Sequence, residues 1–285
     1  MTPLRQKMID TMQMHGFSPR THKSYLDAVT NLACYYKRSP EHISIDEIER
    51  YFMYLVKERH LAAASCRLYL NAIRFLYLQV LGWTAFDVPI QLPKRPQRIP
   101  ELLTRQEIGL ILSATHNPKH YMLLQCCYGC GLRVSELVKI QVRHIDGERH
   151  LLRVEQGKGQ KDRYILLSDT LLHRLRLYWQ NNHPDSWLFY SNSRPKKPIC
   201  ISTAQRVFTA AKKEAGVVKV GGIHSLRHAY ATHQLEAGTP VHQLQQLLGH
   251  KDIHSTLRYI HWVPSYQQDR SSFVDLIAAL EVDNE

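Results

Sequence analysis

Apolar residues in the first ninety positions recur with a helical period. Tyr25, Ala28, Val29, Leu32 and Tyr36 share one face of a helix that Ser18 caps and Pro19 opens. Ser44 and Glu47 form a capping box, and Ile43 and Ile48 are placed as a staple around it. Phe52 and Leu55 continue that stripe, and a third helix is predicted from about Ala64 through Val80. The pattern then breaks at residues 93–100, where Pro93, Pro96 and Pro100 alternate with Lys94, Arg95 and Arg98. Proline stiffens the chain and removes backbone donors, so this stretch reads as a short semi-rigid linker. Helical spacing resumes with a second capping box, Thr104 and Glu107, and an apolar helix around Tyr121 to Cys127 that ends at Gly129-Cys130-Gly131.

Beyond this point the period changes. Residues 151–155 and 163–167 read as two short strands joined by the turn Gly157-Lys158-Gly159-Gln160-Lys161-Asp162. Two helices follow between about Thr170 and Val218, with a loop around Trp187 to Pro198, Ser202 as cap of the second helix and Gly216 at its end. Thr239-Pro240 starts a helix through Leu244, Leu247 and Leu248 that Gly249 closes, and the next helix carries Tyr259. After Pro264, Phe273, Leu276, Ile277 and Leu280 recur at i, i+3, i+4 and i+7, which predicts a short tail helix with one apolar stripe.

Composition narrows the class. A chain of 285 residues with 44% hydrophobic content is long enough for two modest domains, each with its own core. Its formal net charge of +12 favours a polyanionic partner, because neutralised phosphates release counterions. No stretch approaches the ~20 apolar residues of a spanning helix, and the N-terminus lacks the apolar run of a signal peptide, so a cytoplasmic home is expected. The six cysteines lie mostly in apolar stretches. Cys127-x-x-Cys130 has no second pair to complete a zinc site, so core thiols are expected.

Four features carry candidate chemistry: Arg133 within Gly131-Leu132-Arg133-Val134-Ser135-Glu136-Leu137, Lys158 on the hairpin turn, His224-x-x-Arg227, and His250 behind Leu247-Leu248-Gly249 with Tyr259 nine residues on. Each has a plainer reading. Arg133 caps or pairs locally, the lysines decorate a hairpin tip, and the glycine turn before Tyr259 suits a DNA-reading helix-turn-helix. Tyr259 fits a core aromatic. The pairs His224/His228 and His250/His254 have i, i+4 spacing, but no carboxylate accompanies them as a metal site requires. The hairpin glycines lack the spacing of a nucleotide-binding loop.

Taken in order, these features resemble the signature of the tyrosine recombinases, the phage-integrase family, along essentially the whole chain. Only 61 residues separate Arg163 from His224 (224 − 163), which leaves no evident room for the insertion of integron integrases, so the chain looks closer to Xer-type and phage or transposon-borne recombinases. The resemblance implies a mainly α fold with a small β-sheet in the catalytic domain, arranged as a two-domain C-shaped DNA clamp. It assigns residues 1–92 to a helical, SAM-like core-binding domain, 93–100 to the linker and 101–285 to the catalytic domain with its tail helix. Arg20, Lys23, Arg67, Arg74, Lys94, Arg95 and Arg98 are then candidate phosphate contacts.

For the chemistry, the resemblance implies a catalytic set of Arg133, Lys158, His224, Arg227, His250 and Tyr259, with Tyr259 the nucleophile that forms a 3′-phosphotyrosine. Planar, permanently charged guanidiniums suit the two non-bridging oxygens, and a lysine ammonium suits the departing 5′ oxygen. Lys161 is the substitute for Lys158. His250 is open to two roles, assisting the phenol or binding the phosphate. The covalent ester stores the bond energy, so no cofactor or metal is expected. The implied partners are a double-stranded DNA site and further copies of the chain, joined into a tetramer on DNA by the tail helix. A type IB topoisomerase and a non-catalytic helix-turn-helix regulator are the alternatives.

Overall fold

Local sequence signals set several helix starts. Ser44 accepts from the Glu47 backbone N–H while the Glu47 carboxylate accepts from the Ser44 N–H, and Thr104 and Glu107 repeat the arrangement. A computed structural model describes residues 2–86, 99–155, 162–194 and 196–263, which fall into two compact units before and after residue 98.

The first unit contains α1 (Pro3–Met14), α2 (Pro19–Tyr36), α3 (Ile45–Lys57) and α4 (Ala63–Phe75), the last extended by a π turn over Leu76–Val80. Met8, Met12, Leu32, Ile48, Phe52, Ile73 and Tyr77 close its core. The Tyr77 hydroxyl donates to the Pro40 carbonyl at 2.6 Å, which satisfies that buried polar atom. Arg20 and Lys23 on α2 and Arg67 and Arg74 on α4 are exposed. Helices α2 and α4 pack on each other.

The second unit begins with α5 (Arg105–Ser113), α6 (Pro118–Gly129) and the short α7 (Val134–Leu137). A three-stranded antiparallel sheet follows, in the order β1 (Ile145–Asp146), β2 (Leu151–Val154), β3 (Arg163–Leu166). Val154 pairs with Arg163 at the hairpin end, and Leu152 with Ile165 on the buried face. Then come α8 (Asp169–Asn182), α9 (Ile201–Glu214), α10 (His224–Glu236), α11 (Val241–Leu248) and α12 (His254–Ile260). The expected mainly helical fold with a small sheet is observed.

Two readings need correction. Two-residue β1 is too short to leave a periodic signal, so the sheet has one strand more than predicted. The cap position of α9 belongs to Cys200, and Ser202 lies in the first turn with its hydroxyl 3.1 Å from the Cys200 sulfur. Cysteines 66, 126, 127 and 130 are buried as core thiols, whereas Cys34 and Cys200 are exposed. The linker basics Lys94, Arg95 and Arg98, the hairpin tip with Lys158 and Lys161, and the tail helix lie outside the described residues. No helix among the described residues is long and apolar enough to cross a membrane.

Candidate active site

The end of α6 is a forced turn. Gly131 has φ +57°, and a Cβ there would stand 2.4 Å from the ring of Tyr230, so the position demands glycine. The turn delivers Arg133, whose backbone N–H donates to Glu136 Oε2 at 2.9 Å and whose Nη1 donates to Oε1 at 2.8 Å. Arg163, at the start of β3, grips the same carboxylate with both Nη atoms at 2.9 Å. Arg227 approaches it at 3.9 Å. Burial pushes the Glu136 carboxyl up, but the hydrogen bonds and charge of Arg163 and then of Arg133 outweigh it and hold the group down at about 2. Glu136 is therefore an ionised counter-charge shared by three guanidiniums.

The same three arginines also meet the end of one helix. Gly249 takes the left-handed conformation, φ +62°, that stops α11 and leaves its last carbonyls without intrahelical partners. Arg163 Nε donates to the Leu247 carbonyl at 3.4 Å, Arg227 Nη2 to Leu248 at 2.8 Å, and Arg133 Nη2 to Gly249 at 3.5 Å. The negative end of the helix dipole adds to this attraction. A Cβ at residue 249 would lie 2.7 Å from Arg163 Cδ, so Gly249 is required for packing as well as for its backbone angle.

Arg227, on α10, is only 1% exposed, and its Nη1 also donates to the Gly131 carbonyl at 2.6 Å. Burial and then the charge of Arg133 draw its guanidinium down to about 10, so it stays charged at neutral pH. Its Nη2 lies 3.0 Å from His250 Nε2, and His250 Nδ1 lies 2.8 Å from Thr256 Oγ1. A guanidinium only donates, so Nε2 of a neutral His250 is the acceptor and Nδ1 carries the proton toward Thr256. The ring of His250 lies parallel to that of Tyr259, with centroids 6.2 Å apart.

Tyr259 is 4% exposed, on α12. Burial raises its phenol above the usual range, and the charge and hydrogen bond of Arg227 pull it part of the way back. Its oxygen is 3.2 Å from His228 Nδ1, and the Trp262 ring packs edge-on against its ring with centroids 5.1 Å apart. His224 is exposed one turn before His228, their ring centroids 4.5 Å apart.

Of the predicted set, Arg133, His224, Arg227, His250 and Tyr259 come together, while Lys158 is outside the described residues. Arg163 and His228 were missed as members of this cluster. The signals for them were weak: a basic residue at the foot of a lysine-bearing turn, and a histidine next to an already suspected arginine. Chemically, the site offers fixed cationic donors for an anion beside a shielded phenol, the arrangement that attack on a phosphodiester needs.

Comparison with known proteins agrees with this geometry. The phage integrase family model matches residues 101–265, and the model of the phage integrase N-terminal SAM-like domain matches residues 4–85. An integrase/recombinase of Sinorhizobium fredii is 40% identical over 262 residues, covering 91% of this chain and 84% of its own. Tyrosine recombinase XerA of Pyrococcus horikoshii is 32% identical over 210 residues, 73% of each chain. Among solved structures, a XerA recombinase aligns with TM-score 0.55 at 28% identity, covering 93% of this chain and 95% of its own. A lambda integrase dimer bound to a COC′ core site shares the fold with TM-score 0.73 at 20% identity, covering 88% and 95%. With both of its units matched in this way, the chain belongs to the phage integrase family of tyrosine recombinases.

Proposed function

We propose that this chain is a site-specific DNA recombinase that cuts and rejoins strands through a covalent bond to Tyr259. The observation that carries the catalytic assignment is the convergence of Arg133, Arg227, His250 and a buried Tyr259 at the C-terminal end of α11. In this reading Arg133, Arg227 and His224 hold the scissile phosphate. Arg227 uses donors beyond those already committed to Gly131, Leu248 and His250. His250 acts by orienting Arg227, since both of its ring nitrogens are engaged away from the phenol.

Lys158 is the acid for the departing 5′ oxygen. In the sequence it lies five residues before Arg163 (163 − 158), the residue whose guanidinium Glu136 holds. Residues 1–92 form the core-binding domain, 93–100 the linker and 101–285 the catalytic domain. Exposed Arg20, Lys23, Arg67 and Arg74, together with Lys94, Arg95 and Arg98, contact duplex phosphates, and the tail helix joins copies into a tetramer in the cytoplasm. The DNA-bound state of solved relatives, such as the lambda integrase dimer on its core site and the Tn1549 transposon integrase on a circular intermediate, supports DNA as the substrate.

The test uses a pool of nicked duplexes with a randomised core. After incubation, SDS gels should show a protein–DNA adduct that Tyr259→Phe removes completely while DNA retention stays nearly unchanged. Lys158→Ala should recover cleavage when the 5′ bridging oxygen is sulfur, a leaving group that needs no proton. Adduct formed by the Phe variant would falsify the assignment.

A further inference from the structure

The phenol of Tyr259 has to lose its proton as it attacks, and its buried surroundings oppose ionisation. His250 is badly placed to help, because Arg227 occupies the lone pair on Nε2 and the proton on Nδ1 is directed at Thr256. His224 stands one turn further out, exposed. Arg227 reaches the phenol only as a donor, whereas His228, the next residue in the chain, places Nδ1, a nitrogen able to accept, 3.2 Å from Tyr259 Oη. Three rings pack against that of His228, His224 at 4.5 Å, Tyr259 at 5.7 Å and Trp262 at 5.4 Å between centroids.

We propose that His228 is a further catalytic residue, the general base that takes the phenolic proton of Tyr259 through Nδ1. The assignment rests on the recombinase reading and adds a base to it. In the cleavage step the Tyr259 oxygen forms a bond to phosphorus, and the bond from phosphorus to the 5′ oxygen breaks. The phenolic proton passes to His228, which becomes an imidazolium, and the electron pair of the broken bond leaves on the 5′ oxygen, which is protonated from Lys158. Rejoining runs in reverse: a 5′ hydroxyl displaces the tyrosine, and His228 returns the proton to the phenolate.

The electrostatics fit this cycle. Groups facing His228 are His224 and Arg227 from its own helix and Tyr259 and Arg258 from α12. Burial first, and then the charges of His224, Arg227 and Arg258, lower the imidazole to about 4, so it is neutral and holds an available lone pair at neutral pH. That low value alone would make a weak base. A phosphodiester bound to the neighbouring arginines brings a negative charge that raises the basicity of His228 when the proton must move.

Two measurements test the proposal. Nitrogen-15 spectra of histidine-labelled full-length protein should show His228 protonated on Nε2 and bare on Nδ1; a proton on Nδ1 would overturn the assignment. In adduct assays with the same nicked-duplex pool, His228→Ala should slow covalent capture roughly 10²–10⁴-fold with DNA retention unchanged. The deficit should shrink when residue 259 is a fluorinated tyrosine of lower pKa, and added imidazole should restore part of the rate. Wild-type rates in His228→Ala, or a deficit indifferent to phenol acidity, overturn the base role while leaving the recombinase reading intact. Absence of any adduct from the wild-type chain would sink that reading and this one with it.

Discussion

In the core of the N-terminal unit the phenol of Tyr77 is a buried polar group matched by the Pro40 and Ile43 carbonyls, in a cluster with Met12, Leu32, Phe52 and Ile73. At the end of α11 in the other unit the counterpart is a carboxylate surrounded by three guanidiniums. One arrangement is neutral, locally satisfied and complete without a ligand. The other brings three positive charges to one negative charge, a local surplus of two (3 − 1), and leans on helix carbonyls to hold it. Apolar packing stabilises the first wherever side chains of suitable volume are available. In the second, removal of one partner leaves the others uncompensated in a poorly hydrated place. In the proposed site a bound phosphodiester, with its single negative charge, would cut that surplus from two to one (2 − 1).

That contrast can be broken most severely at the clamp. Arg133→Ala should lower the rate of adduct formation by about 10²–10³, with little change in melting temperature, because its side chain lies at the partly open rim of the cluster. Single-turnover assays on nicked DNA read the rate, and calorimetry the stability. Near wild-type cleavage would move the phosphate site elsewhere.

Glu136→Gln should act the other way round on stability. Removal of the shared charge is expected to cost about 3–5 kcal/mol in urea unfolding, with the loss confined to the catalytic unit. Added sulfate or DNA should restore part of it in the variant, by replacing the lost negative charge.

The pH dependence sharpens the same point. The folded carboxyl of Glu136, at about 2, lies below its ordinary 4.5, so its contribution is fully present above pH 4.5 and is lost as pH falls through 2. That difference corresponds to on the order of 3 kcal/mol. His228 adds loss in the same direction. Its folded value of about 4 lies below 6.5, so the unfolded chain takes up the proton first as pH drops from 6.5 to 4. Acid titration of wild type and Glu136→Gln should differ chiefly below pH 4.5.

Tyr77→Phe should have the smallest effect. Loss of its hydrogen bond to Pro40 is expected to cost about 1–2 kcal/mol in the N-terminal unit, with covalent capture on saturating DNA unchanged. A fall in capture comparable to that of Arg133→Ala would mean that the two units are not energetically separable.

What was legible in the chain follows from how far each interaction reaches. The boxes at Ser44 and Thr104 span three residues, so the local sequence contains both partners. Gly249 was readable as a helix stop for the same reason, and Arg133, Arg227, His250 and Tyr259 through the order of their motifs. Arg163 was read only as a strand residue, because its partners Glu136 and Leu247 are 27 and 84 residues away. His228 was weighed only as half of a metal-like pair, since a contact across 31 residues to Tyr259 leaves no periodic trace. Ser202 was assigned as a cap on propensity, yet its hydroxyl bonds the Cys200 sulfur.

In the proposed mechanism the long reach of the arginine contacts also sets when the chain could first cut DNA. Arg227 meets Gly131 across 96 residues, and Arg133 meets Gly249 across 116, so these contacts close large loops and depend on late, non-local folding. On the ribosome the N-terminal unit is complete while α10 to α12 are still unmade, because domains fold as units in the order of synthesis. In the proposed mechanism a nascent chain therefore presents basic helices before it has Tyr259 or the closed arginine cluster. Chains that stall before α11 lack His250 and Tyr259, so under the proposed mechanism interrupted translation yields fragments with no means to leave a strand cut.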